Sequence, residues 1–210
     1  MTSSVVHSER HNQNTTSGFA AVWKPSDRVI SDFPALVPPL VSASDSGNES
    51  EDLFDRVARA AEARFGGSTA VLTTSTASPV SHVYVGQTID GLPILNTQLH
   101  VVVAKGSVVR ATSSFVDFSS ISTPVQAQAQ QHLPAVEAAL AVSTAFGAAS
   151  DELLGPDFVS IVPGKSTLGF YLTEGGETAV KVWQFVSENG SVIANADSGA
   201  VLAYTSFVAN

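Results

Sequence analysis

The chain has five histidines and no cysteine, and this limits the chemistry it can perform. Thiolate nucleophiles, cysteine zinc sites and disulfides are excluded by composition. Zinc hydrolysis of the His-Glu-x-x-His kind needs two imidazoles on one helical face with the glutamate beside the metal. The nearest stretch is His7-Ser8-Glu9-Arg10-His11. Its histidines have the right spacing, but Glu9 has the wrong offset, and the polar leader around it has no apolar face to hold a helix. His82 and His100 lie about eight and nine residues either side of Asp90-Gly91. They come near each other if the flanking strands pair across that turn. Two imidazoles do not close a zinc site without a third ligand, so both read as strand-surface residues. His132 is isolated. A serine nucleophile has no Gly-x-Ser-x-Gly elbow to sit on. Glu51, Asp52, Asp151, Glu152, Glu174 and Glu177 fall near helix starts or turns, not as a converging acid–base pair. No glycine-rich loop follows a strand and opens a helix, so no phosphate cradle is expected. The expectation is a non-catalytic protein with no cofactor and no bound metal.

The elements that would position these residues come in a repeated order. Residues 1–50, rich in Ser, Asn and Pro, read as an extended N-terminal arm, with residues 1–17 as a disordered leader. Glu51 to Phe65 reads as a helix, since Leu53, Phe54, Val57, Ala60, Ala61 and Phe65 recur at steps of three and four. Asn48 or Ser50 can cap it, and Gly66-Gly67 stops it. Ser81–Thr88 reads as a strand, Asp90-Gly91 as a tight turn and Leu92–Ala104 as the returning strand. Lys105-Gly106 is a second turn before a strand from Val108 to Phe118. A polar linker, Ser122–Leu133, precedes a second helix from Pro134 to about Phe146, stopped by Gly147. Strands are then expected at Phe158–Val162, Leu168–Leu172, Val180–Val186, Val192–Asn195 and Val201–Val208. The fold class is α+β: two tandem units at residues 51–121 and 122–210, each a helix on an antiparallel sheet.

Ten basic residues stand against 19 acidic ones, a formal net charge of −9. An acidic chain repels phosphate backbones, so no nucleic acid partner is expected, and a basic surface is favoured instead. No apolar run reaches the roughly 18 residues a membrane helix needs, so no membrane partner is expected. Asn14, Asn48 and Asn189 each open an Asn-x-Ser/Thr triplet, a glycosylation acceptor in a secreted chain.

The run from His82 through Gly86-Gln87-Thr88-Ile89-Asp90-Gly91-Leu92-Pro93 to Asn96 resembles the fungalysin/thermolysin propeptide motif. The likeness lies in a strand ending in Gln-Thr, a glycine turn, and an apolar strand carrying Asn. Leu99–Val103, the Gly106 turn and Val108-Val109 resemble its next hairpin. In the second half, the helix at Ala138-Ala139-Leu140, the Trp183 strand and the closing strand from Val201 resemble the rest of such a prosegment, giving cystatin-like or PepSY-like units. The resemblance implies a secreted inhibitor and folding chaperone of a zinc metallopeptidase, whose catalytic domain is the partner. It also implies that Ser206, Phe207, Val208, Ala209 and Asn210, next to the family's cleavage junction, enter the cleft, with a terminal carboxylate near the zinc.

Gln87, Asp90 and Gly91 form a second contact candidate. Gln87 to Gly91 also has the Gln-x-Val-x-Gly form of the cystatin inhibitory hairpin, with Ile89 for Val. That leaves cysteine-peptidase inhibition as one alternative. A secreted interaction module without a peptidase partner is the other.

Overall fold

The computed structural model describes residues 24–37, 53–77, 80–122, 132–159 and 165–207. Strand β1 (Arg28–Val29) and the short helix α1 (Phe33–Leu36) lead into helix α2 (Leu53–Phe65). Strands β2 (Ser68–Ala77), β3 (Val80–Ile89), β4 (Leu92–Pro93), β5 (Leu99–Ala104) and β6 (Ser107–Ser113) complete the first unit. Helices α3 (Ala135–Phe146) and α4 (Ser150–Leu154) precede strands β7 (Ser166–Leu172), β8 (Ala179–Val186), β9 (Gly190–Asn195) and β10 (Val201–Ser206) in the second. The architecture is α+β, with an antiparallel sheet in each unit. Among the described residues no helix is long and apolar enough to cross a membrane.

The first sheet runs β1-β6-β5-β3-β2, with β4 paired to β3. Helix α2 buries Val57, Ala60, Ala61 and Phe65, the face its apolar spacing predicts. These side chains meet Val83, Val85, Leu99, Val101 and Val103 from one face of the sheet. The opposite face, which carries His82, Tyr84 and His100, is half-exposed. Period-two alternation thus sorts β5 into a core side and an open side. Within residues 24–37 the arm is more than an extended leader. Ile30, Phe33 and Val37 are buried in the same core, and β1 pairs with β6.

Two features of this sheet depart from the sequence expectation. Strand β2 was not expected, because its uncharged Ser/Thr-rich run buries no side chain from Ser68 to Ser75 that would impose an alternating pattern. It lies at the sheet edge and bulges at Leu72. The expected single strand Leu92–Ala104 is broken into β4 and β5. Ile89 opposes Leu92, whereas Val85 opposes Leu99. Four steps back along β3 are therefore matched by seven steps forward, so residues 94–98 leave the ladder, three more than β3 sets opposite them.

The second sheet runs β10-β9-β8-β7. Helix α3 packs Ala138, Ala139, Val142 and Phe146 on Phe185, Val192 and Ala194. Pro134 stands just outside the helix as its N-cap, and Gly147, at φ 56°, ends it. Phe158 and Val159, expected to open a strand, are helical, and Phe158 joins Leu154 in the core beneath α3. Residues 160–164 lie outside the described residues.

The chain that leaves the first ladder lies tightly along β7. A Cβ on Gly169 would fall 2.5 Å from the Pro93 carbonyl oxygen and 2.9 Å from Leu95 Cγ. Backbone cannot swing aside as a flexible side chain can. Gly169→Ala is therefore expected to lower stability by about 1–3 kcal/mol, as overpacking does. Urea unfolding of the variant and parent measures this.

Candidate functional site

The turn that heads the motif is built by two residues with positive φ, Asp90 at 52° and Gly91 at 79°. This is the twist a two-residue hairpin needs, and glycine supplies the second position without steric cost. Both residues are exposed at the tip. Behind them, β3 from Gly86 to Ile89 is buried on consecutive residues. Gln87 lies in that stretch and is fully buried. Its Nε2 donates to the Val116 carbonyl at 2.8 Å, and the Val116 N–H donates to its Oε1 at 3.2 Å. The side-chain amide thus serves Val116 as a neighbouring strand would.

Asn96 repeats the arrangement across the two units. Its Nδ2 donates to the Leu172 carbonyl at 2.8 Å, and the Leu172 N–H donates to its Oδ1 at 2.9 Å. Just before it, Ile94 bridges Phe170 in parallel and the Leu95 N–H donates to the Phe170 carbonyl at 2.8 Å. Residues 94–96 therefore line the outer edge of β7. Ile94 enters a small cluster with Ile89, Leu172 and Ala179, flanked by Val116, Phe118, Ile121 and Phe170. Leu95 packs against Tyr171, Val182, Ile193 and Ala203. A second tie joins the units where the Ser122 N–H donates to the Glu177 carbonyl at 2.6 Å. Between these ties, Asp117 caps a short turn at Phe118–Ser120. The Ser119 hydroxyl and N–H that it accepts hold its carboxyl below the usual carboxylate range.

The sequence-predicted contact residues are dispersed by this arrangement. Gln87 is fully buried, its amide spent on Val116 inside the protein. Asp90 and Gly91 remain presented at the tip. Ser206 ends β10, paired with Gly190 at the edge of the second sheet. Phe207 follows, 55% exposed, its N–H donating to the Asn189 carbonyl at 2.8 Å. Val208, Ala209 and Asn210 lie outside the described residues, as do Asn14 and Asn48. Asn189 occupies the β8–β9 turn, and its side-chain amide donates to the Glu152 carbonyl at 2.9 Å. Asn96, quoted in the motif but given no role, is the residue that sequence reasoning missed. The available signal was an amide directly after Ile94-Leu95, where an apolar strand should continue.

The histidines of the first sheet do meet. His82 Nδ1 and His100 Nε2 are 2.9 Å apart, one ring N–H donating to the other ring's bare nitrogen. Tyr84 stacks on His100 with ring centres 4.6 Å apart. Among the described residues no group of three or more His, Asp or Glu is placed to hold a metal ion.

Residues 70–115 match the family profile of the Fungalysin/Thermolysin Propeptide Motif. That span runs from β2 to just past β6 and contains both amides, Gln87 and Asn96. No curated protein matches the chain. Among solved structures, the C-terminal domain of Bacillus megaterium YpeB aligns over 72% of this chain and 62% of its own, with 11% identity and a TM-score of 0.39.

Asn96→Ala strands the buried N–H and carbonyl of Leu172. It is expected to cost about 2–3 kcal/mol, the penalty of orphaned buried groups. Asn96→Asp keeps the acceptor but turns the donor into a second acceptor facing a carbonyl. That raises the folded-state proton affinity of the new carboxyl, so stability is lost as pH rises through its folded value. Chemical denaturation should find Asn96→Asp at least as unstable as Asn96→Ala at neutral pH, and partly recovered in mild acid.

Proposed function

We propose that the chain is a non-catalytic partner of a secreted zinc metallopeptidase of the fungalysin/thermolysin kind, covering its substrate cleft and templating its folding. The match of residues 70–115 to the propeptide motif carries this reading. The fold is consistent with it in two places. The tip at Asp90 and Gly91 is exposed on a hairpin whose base is held by buried amides. Strand β10 lies at a sheet edge and runs out to Ser206 and the exposed Phe207. An edge strand can add to a cleft through main-chain hydrogen bonds, with alternate side chains entering subsites. Ser206 and Phe207, with Val208, Ala209 and Asn210 after them, are the first contact candidate, and the hairpin tip is the second. A surface that binds only the native peptidase stabilises that state by mass action, which is the physical content of a folding template. Asn189 glycosylation and extracellular location belong to the same reading. The cysteine-peptidase alternative has weaker support, since the glutamine that would open its wedge is buried.

Titration of the purified chain against a fungalysin, thermolysin and papain tests the proposal. Inhibition of the metallopeptidases alone is expected. Papain inhibition would move the reading to the cystatin-like alternative, and silence toward all three would leave an interaction module without a peptidase. Removal of residues 206–210 is expected to weaken inhibition by tenfold or more, about 1.4 kcal/mol of binding. Unchanged inhibition would discard the tail as the inserting segment. Recovery of denatured peptidase activity on refolding, with and without the chain, tests the template role separately.

A further inference from the structure

The open face of the first sheet carries a titratable pair that the proposed function does not use. His82 on β3 and His100 on β5 lie diagonally across the ladder, where Tyr84 opposes His100 and His82 opposes Val102. Their rings are nearly parallel, 5.2 Å between centres, and joined by a 2.9 Å hydrogen bond. Tyr84 also stacks on His100, tilted by only 6°.

Among the described residues, the strand register places these neighbours around the pair. On β2, Thr73 opposes Tyr84 and Ser75 opposes His82. On β6, Thr112 opposes His100 and Arg110 opposes Val102. On β1, Val29 opposes Thr112, while the Arg28 guanidinium is turned to the Phe115 carbonyl at 3.0 Å. On β3 and β5 the remaining residues of this face are Val80, Gly86, Thr88 and Ala104. Among the described residues these strands offer the pair a cation, Arg110, and no carboxylate.

We infer that the His82–His100 pair is an acid-sensitive clasp: it ties β3 to β5 while one imidazole is neutral, and it pushes them apart when both are protonated. The chemistry follows from the nitrogen inventory. In the neutral pair one N–H meets one bare nitrogen. A first proton leaves that bond in place and strengthens it by charge. A second proton leaves neither nitrogen able to accept, and sets two cations in contact with a third nearby.

Partial burial, then the charge of His82, then that of Arg110 all lower the proton affinity of His100 below its ordinary value of 6.5. The sign is then fixed. The unfolded chain binds the proton more tightly, so the contribution is complete above 6.5 and is lost as pH falls through the folded value. The strands loosened are β3 and β5, at the centre of the unit that carries the propeptide-motif match. No peptidase is needed for the clasp to act.

The test is urea unfolding of the full chain and of a His82→Gln/His100→Gln variant, between about pH 8 and 5. The parent is expected to lose a larger part of its midpoint urea concentration across that range than the variant. Identical pH dependence would overturn the inference. Arg110 is exposed, so Arg110→Glu should fold and keep the pair. Its carboxylate raises the folded-state proton affinity of His100 towards the unfolded value and is expected to shrink the acid loss; an undiminished loss counts against the clasp. Imidazole proton NMR on the folded parent gives a readout independent of stability. The His100 resonances should titrate below the ordinary value, and titration at that value would sink the proposal.

Discussion

The structure depends on two side-chain amides standing in for strands that are not there. Gln87 and Asn96 each exchange one donated and one accepted hydrogen bond with the backbone of a single residue, Val116 and Leu172. A carboxamide has the same donor and acceptor as a peptide group, so it can close a ladder where the chain has turned away. The substitution is needed because β4 and β5 do not run on as one strand. The residues that leave the ladder would otherwise bury unpaired backbone on both sides of the joint, at about 1–3 kcal/mol for each orphaned group.

Those few displaced residues turn two sheets into one body. Ile94 and Leu95 project to opposite sides of β7, so a single short segment feeds two different clusters. The absence of a side chain at Gly169 lets the segment approach. The edge of β7 is thereby covered, while β2 and β10 remain at the free ends of their sheets. An uncovered edge is a liability that folds usually blunt. Here β2 is blunted in part: the bulge residue Leu72 lies over Gly86, and Glu62 accepts the Thr69 N–H at 2.9 Å.

What was legible in the sequence was what local chemistry decides. Helix α2 follows from the spacing of Val57, Ala60, Ala61 and Phe65 and the glycines after it. The hairpin at Asp90-Gly91 follows from residue types that accept two successive positive φ values cheaply. The meander of β7 to β10 follows from its turns at Gly175-Gly176, Asn189-Gly190 and Ser198-Gly199. What was not legible was decided at long range. Strand β2 buries no side chain from Ser68 to Ser75, so nothing in its pattern marks it, and pairing with β3 alone makes it a strand. The break between β4 and β5 is marked only by the polar run Asn96-Thr97-Gln98, and a strand with one face open to solvent also carries polar residues. Only the second unit, lying across Ile94 to Asn96, shows why it stops.

Gln87 shows the same limit in a single residue. The string Gln87 to Gly91 specifies a strand that ends in a tight turn, and that much the structure contains. It does not specify which face of the strand meets solvent. Alternation, the usual guide, assumes a sheet covered on one side. It fails from Gly86 to Ile89, where β3 is buried at every position. The cover comes from Val116 and Phe118 on the way out of the first unit and from Phe170 and Leu172 of the second. A polar side chain in such a place must find its partners inside the protein, and Gln87 finds both in Val116. The residue that the short motif would place at a wedge-like surface is, in this chain, part of the support beneath the exposed tip.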